Sequence, residues 1–206
     1  MPGARVVIVD DDPAVRRSLA RLVATAGYQV EAVGSAAEFL ARPAAAEPCC
    51  LVLDVRLPGL TGPELQQALA AQGRPLAVVF LSAHGDVSTS VRAMKDGAID
   101  FLTKPVPAAE LLGAIERAVQ TARDAHRRRS ERAALQARLG ALSPRESQVL
   151  TLVVTGLLNK QIAGRLGIGE KTVKVHRARV MRKMQAGSLA ELVRLAAGAG
   201  VPARSG

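Results

Sequence analysis

Short apolar runs and amphipathic segments alternate along the first 120 residues of the chain. Apolar runs bounded by turn residues read as buried strands, and segments with a 3.6-residue apolar period read as helices. "RVVIV" predicts a first strand, followed by a helix over about 13–26. "YQVEAV" predicts a second strand, and "SAAEFLAR" a short helix with Ser35 at its N-cap. "CCLVLDV" predicts a third strand, with a helix starting near Thr61. "LAVVFLS" and "IDFLT" predict the fourth and fifth strands, followed by helices over about 86–96 and from near Pro107. Five strands alternating with five helices predict a parallel sheet covered on both faces. In such sheets the chemistry sits beyond the carboxyl ends of the strands.

The last of these helices runs on. "ELLGAIERAVQTARDAHRRRSERAALQARLGAL" contains no Pro, and Leu111, Leu112, Ile115 and Val119 keep a helical period at its start. Its later part, rich in Arg and Ala with Leu135, Leu139 and Leu142, predicts a helical linker over 121–141 between domains at 1–120 and 142–206. The "HRRRSER" run reads as a solvated helix face. "LSPRESQVLTLVVTG" predicts a helix with Ser143 at the N-cap, Pro144 at the first helical position and Glu146 completing a capping box. "NKQIAGRLGIGEKTVKVHRARVMRKM" then splits into two helices around Leu166-Gly167-Ile168-Gly169, the spacing of a helix-turn-helix. A final helix is predicted from Ser188 to about Gly198.

Charge divides the chain at the same place. Residues 1–120 carry 11 Lys and Arg against 13 Asp and Glu, a net −2. Residues 121–206 carry 17 against 5, a net +12. A basic second half is expected to face a polyanion. Aromatics make up only 2% of the chain, so duplex DNA read by a helix is expected rather than stacked single strands. No apolar run reaches the roughly 18 residues that span a bilayer. The N-terminal run leads straight into three Asp and does not read as a signal peptide, so a cytoplasmic protein is expected. Cys49 and Cys50, the only cysteines, read as small residues at the start of a buried strand; three scattered His supply no zinc set.

The strand ends carry the chemistry. The first ends in Asp10-Asp11-Asp12, the third in Asp54, the fourth in Ser82 and the fifth in Thr103-Lys104-Pro105. Adjacent carboxylates repel and raise one another's pKa, so a cation, a helix N-terminus or solvent must hold them. Asp10, Asp11 and Asp54 in one small space call for a divalent cation with oxygen ligands, and Mg²⁺ suits a carboxylate set that leaves water positions open. Lys104 offers a point charge, and Ser82 a hydroxyl, to phosphoryl oxygens. Asp12 precedes Pro13 and reads as the N-cap of the first helix.

These residues, with "LPGLTG" after Asp54, resemble the receiver domain of two-component response regulators over the whole first half. The resemblance implies a doubly wound, flavodoxin-like five-stranded parallel sheet of order 2-1-3-4-5. It implies that Asp54 accepts a phosphoryl group from a sensor histidine kinase. Mg²⁺ would be bound by Asp11 directly, Asp10 directly or through waters, Asp54, and the backbone carbonyl of Arg56. Ser82 and Lys104 would engage the phosphoryl group. The face that answers phosphorylation maps to about 86–120. Phe101 lies where the family often has a switching aromatic, and it reads equally as an ordinary core phenylalanine. His84 occupies a position the family uses to tune phosphoryl lifetime, but reads as a solvated loop residue.

"LSPRESQVL", "GLLNKQIAGRLGI", "KTVKVHRARVMRKM" and "SLAELVRLA" resemble the LuxR-type DNA-binding domain, and the two halves together are most similar to the FixJ group within the FixJ/NarL regulators. A recognition helix over about 170–184 is expected. At about 100° per residue, Val173, His176, Val180 and Met184 share a core side. Lys171, Val175, Ala178 and Arg182, flanked by Lys174 and Arg179, share the other, which would enter the major groove. Lys160 is expected to contact phosphate. Gly169 departs from the capping residue many members carry, a cost of a few tenths of a kcal/mol.

The expected function is a transcription factor that binds double-stranded promoter DNA and pairs as a homodimer on phosphorylation, with RNA polymerase as a candidate partner. Two alternatives compete with it. A Mg²⁺-dependent phosphatase would carry its Asp nucleophile in a D-x-D pattern after the first strand, and the basic half would go unexplained; no enzyme activity is expected. A phosphorylation-independent regulator dimerising through its linker would leave the acidic set vestigial.

Overall fold

The computed structural model describes residues 4–42, 50–74, 76–83 and 87–201. The chain folds as two compact units, Met1–His126 and Arg127–Gly206. The first runs β1 (Arg5–Val9), α1 (Pro13–Thr25), β2 (Gln29–Val33), α2 (Ala36–Leu40), β3 (Cys50–Asp54), α3 (Gly62–Ala71), β4 (Ala77–Ser82), α4 (Val87–Lys95) and β5 (Asp100–Thr103). Helix α5 (Ala108–Gly140) begins in the first unit and continues into the second, through the segment predicted as a linker. The second unit adds α6 (Pro144–Val154), α7 (Asn159–Leu166), α8 (Glu170–Met184) and α9 (Leu189–Gly198).

The five strands are parallel in the order β2-β1-β3-β4-β5, the doubly wound order expected. Successive strand residues point to opposite faces. Val6, Ile8, Cys50, Val52, Val79 and Leu81 meet α1 and α5 through Leu19, Val23, Leu111 and Ile115. Val7, Val9, Leu51, Leu53, Val78 and Phe80 meet the other helices through Phe39, Leu65, Leu69 and Ala93. With both faces covered, β3 and β4 are buried along their whole length, which is why they read as unbroken apolar runs. Cys50 is buried in β3, while Cys49 and His84 lie outside the described residues.

The predicted caps are present. Asp12 accepts from the backbone N–H groups of Ala14 (2.7 Å) and Val15 (3.2 Å), with Pro13 opening α1. Those two hydrogen bonds hold its carboxyl below the ordinary carboxylate range. Ser143 forms the expected capping box with Glu146, and Thr61, read only as a helix start, forms a second one with Glu64.

In the second unit, Val149, Leu150, Ile162, Val173, Val180, Met184 and Leu192 form the core, with Leu135 and Leu139 of α5 packed against it. Helix α7 is closed by Gly167 in the left-handed region (φ 62), where a residue with a Cβ is disfavoured, and α8 starts directly after the Gly169 cap. Gly169 makes no side-chain cap, as its departure from the family pattern implies.

Glu146 does more than cap α6. It is buried, and its Oε2 accepts from Lys183 Nζ of α8 at 2.6 Å. The Lys183 ammonium, helped by the Ser143 N–H, holds its carboxyl down from 4.5 to about 2. A carboxyl with a depressed folded-state pKa stabilises the fold above its unfolded pKa, and that contribution is lost as pH falls from about 4.5 toward 2. Thermal melts of the full chain between pH 6 and 3 should therefore show the second unit losing stability at the acid end. Glu146→Gln should lower its melting temperature at neutral pH and flatten that slope.

Candidate phosphoacceptor site and nucleic-acid interface

Strand register puts the acidic residues side by side. Val9 of β1 pairs with Leu53 of β3, so the next residue of each strand, Asp10 and Asp54, emerge as neighbours. Asp54 pairs with Leu81, and Ser82 with Thr103, which brings Ser82 and Lys104 to the same edge. The Lys104 N–H donates to the Ser82 carbonyl at 2.7 Å.

Lys104 Nζ reaches between the carboxylates. It donates to Asp10 Oδ2 at 2.6 Å and to Asp54 Oδ2 in a short ion pair. The other Asp54 oxygen, Oδ1, accepts from the Arg56 N–H at 2.9 Å. Asp10, Asp54 and Ser82 are buried, and Asp11 is exposed. One carboxylate oxygen from each of Asp10, Asp11 and Asp54 falls within 4.8 Å of the others, while Asp12 is turned away into its cap. Burial pushes the Asp10 carboxyl up, against the hydrogen bond and charge of Lys104. Burial also disfavours the Lys104 charge, but Asp10 and Asp54 outweigh it and hold the ammonium above its ordinary range.

The loop after Asp54 is pressed against it. A Cβ on Gly62 would stand 2.4 Å from the Asp54 carbonyl oxygen, so only glycine lets α3 begin there. The Arg56 side chain is exposed. Phe101 is half-buried on β5, its ring 6.2 Å from that of Phe80 at 41°, and it packs against the core.

The basic unit presents the expected helix faces. Val173, Val180 and Met184 are fully buried, and His176 is half-buried. Lys171, Lys174, Val175, Ala178, Arg179 and Arg182 are all exposed along α8, and Lys160 is exposed on α7. Arg177 Nη1 donates to Asn159 Oδ1 at 3.1 Å, which ties α8 to the start of α7. Arg145 donates to the Leu166 carbonyl at 2.6 Å and holds the turn between them from α6.

Comparison with known proteins places both units. Residues 6–116 match the response regulator receiver domain, and residues 140–196 match the bacterial regulatory proteins of the luxR family. The chain belongs to the response regulators. It is 48% identical over 202 residues to Nodulation protein W of Bradyrhizobium diazoefficiens, spanning 97% of this chain and 88% of that one. It is 46% identical over 196 residues to the transcriptional regulatory protein FixJ of Azorhizobium caulinodans, spanning 95% and 93%. Among solved structures, the response regulator StyR superposes with a TM-score of 0.88 at 45% identity, over 96% of this chain and 99% of that one. Full-length FixJ from B. japonicum gives 0.59 at 43% identity, over 98% and 100%.

This response regulator is thus FixJ-like, a receiver joined to a LuxR-type DNA-binding domain. Several contacts that shape its sites involve residues given no such role from sequence: Arg16 at the acidic loop, Gly62 against Asp54, and the Glu146–Lys183, Arg177–Asn159 and Arg145–Leu166 links. Two of them have a local signal: Arg16 stands one turn into α1 behind the acidic run, and Gly62 closes the "LPGLTG" stretch after Asp54.

Proposed function

We propose that this regulator is switched by phosphorylation of Asp54 and acts by binding promoter DNA as a dimer. The observation that carries the reading is the Asp10–Lys104–Asp54 cluster at the carboxyl edge of the sheet. The donor set fits Mg²⁺, because three hard carboxylates lie close together and the exposed Asp11 leaves room for water. Asp10, Asp11 and Asp54, with the Arg56 carbonyl, would hold the ion, which when bound neutralises charge on the phosphoryl oxygens. An Asp54 oxygen attacks the phosphorus of a phosphohistidine on a sensor histidine kinase, and the P–N bond breaks. Lys104 holds a phosphoryl oxygen, and the Ser82 hydroxyl another. The chain is in this reading a cytoplasmic regulator, not an enzyme with a substrate of its own, and RNA polymerase is the machinery it addresses.

The acyl phosphate carries about −1.5 to −2 in place of a single carboxylate charge, and this charge and its new oxygens hold Lys104, draw in Ser82 and bias the neighbouring face of α4 and β5, including Phe101. Helix α4 suits a switching element. Of its residues only Ala93 is buried, while Val87, Val91 and Met94 are 72%, 48% and 45% exposed. Their i, i+4, i+7 spacing makes one apolar stripe, available to a second copy. On DNA, the exposed side of α8 would read base edges in the major groove, with Lys160 on phosphate.

The reading is tested by incubating the full chain with Mg²⁺ and a small-molecule phosphodonor. A mass gain of one phosphoryl group is expected, and no gain would overturn it. Val91→Asp places a charge in the α4 stripe. It should leave the mass gain intact but keep the phosphorylated chain monomeric in size-exclusion chromatography.

A further inference from the structure

Asp11 is the exposed member of the acidic trio, and among the described residues no hydrogen bond or ion pair holds its carboxylate. Its place is therefore set by its backbone. The loop that carries it leaves the sheet after the Asp10 N–H, which still bonds the Val33 carbonyl at 3.3 Å. Beyond that point two side chains at the start of α1 restrain the loop. Asp12 caps the helix from outside. Arg16, one turn in and half-buried, reaches back: its Nη1 donates to the Asp10 carbonyl at 2.6 Å and to the Asp11 carbonyl at 3.0 Å. One nitrogen with two hydrogens thus ties together the backbone of two adjacent carboxylate residues. Gly34, just after β2, leaves room for it, since a Cβ there would already lie 3.4 Å from Nη1.

We infer that Arg16 is a positioning residue for the metal site: by holding the Asp10 and Asp11 carbonyls it presets the two carboxylates for the cation. The inference rests on the magnesium reading proposed above. The sign of its effect separates it from other roles. A guanidinium near a cation site repels the cation, so simple electrostatics has metal binding tighten when Arg16 is removed. A residue that only packs leaves metal binding unchanged. A positioning residue makes binding weaken when it is lost, as for outer-shell partners of metal ligands.

The test titrates Mg²⁺ alone into the full chain by calorimetry. Arg16→Met keeps the apolar stem and removes both donors and charge; it should raise the Mg²⁺ Kd about tenfold, the low end of outer-shell effects. Arg16→Lys, which keeps the charge and a donor, should recover part of the affinity. In an Asp11→Asn background, Arg16→Met should cost distinctly less, because the residue it positions no longer carries charge. With a wild type that binds, equal or tighter binding by Arg16→Met overturns the inference. A wild type that binds no Mg²⁺ overturns the magnesium reading and this inference with it. If Arg16→Met does not fold, Arg16→Lys set against wild type and Asp11→Asn decides: an affinity equal to or tighter than wild type overturns the inference.

Discussion

Asp54→Asn is expected to take up no phosphoryl group from kinase or small phosphodonor while remaining folded. The amide oxygen is a poor nucleophile and cannot form the acyl phosphate. The fold should survive because much of the local bonding is kept. Asn can still accept the Arg56 N–H at the place of Oδ1, and Lys104 retains Asp10 as partner. Losing one buried hydrogen bond to a charged group costs about 1.5–3 kcal/mol. Removing one of three crowded carboxylates relieves repulsion and offsets part of that; the Asp54 charge is among the influences that raise Asp10. A net loss no larger than about 2 kcal/mol is expected, readable by denaturant melts. Intact-mass measurement checks the chemistry, and uptake by the Asn variant would place the phosphoacceptor elsewhere.

The second large effect belongs to the other unit. Lys174→Ala with Arg182→Ala should weaken DNA binding at least thirtyfold, taking about 1–3 kcal/mol for each base contact removed. Both side chains are exposed on α8, so stability should barely change. A salt titration separates base readout from phosphate binding. If the two side chains read bases, sequence preference relaxes at unchanged salt slope. If they bind phosphates, the slope falls by about 0.9 for each one. Phosphorylation of Asp54 should proceed as in wild type. Its absence in this variant would contradict a division of labour between the units.

Much of the architecture is legible in the sequence because it is encoded locally. Buried parallel strands write themselves as apolar runs, and helix starts as Asp12-Pro13, Thr61 to Glu64 and Ser143 to Glu146, all of which cap as their chemistry requires. The turn between α7 and α8 announces itself through Gly167, because only glycine takes that left-handed φ without penalty. The gathering of Asp10, Asp54 and Lys104 follows from strand ends sharing one edge.

What escapes is set by packing across distance. Glu146 reads as a cap, yet its strongest partner is Lys183, 37 residues on, and no local period points to that pair. Arg177 sits in a run of basic residues on α8, and nothing in the sequence distinguishes it from its solvated neighbours; the structure turns it to Asn159. Phe101 reads two ways because a β5 aromatic can face the core or the switching surface. Its half-burial beside Phe80 puts it on the boundary of both. The thin seating of α4 is also invisible, since an amphipathic pattern does not reveal that Val87, Val91 and Met94 stay exposed.

If charge at Asp54 drives the pairing of two chains, sedimentation reads it without an intermediary. Wild type and Asp54→Asn are run in Mg²⁺, with and without a small-molecule phosphodonor. Only wild type with phosphodonor should move from monomer to dimer. Wild type and Asp54→Asn sedimenting alike in both conditions would contradict a phosphorylation-driven dimer.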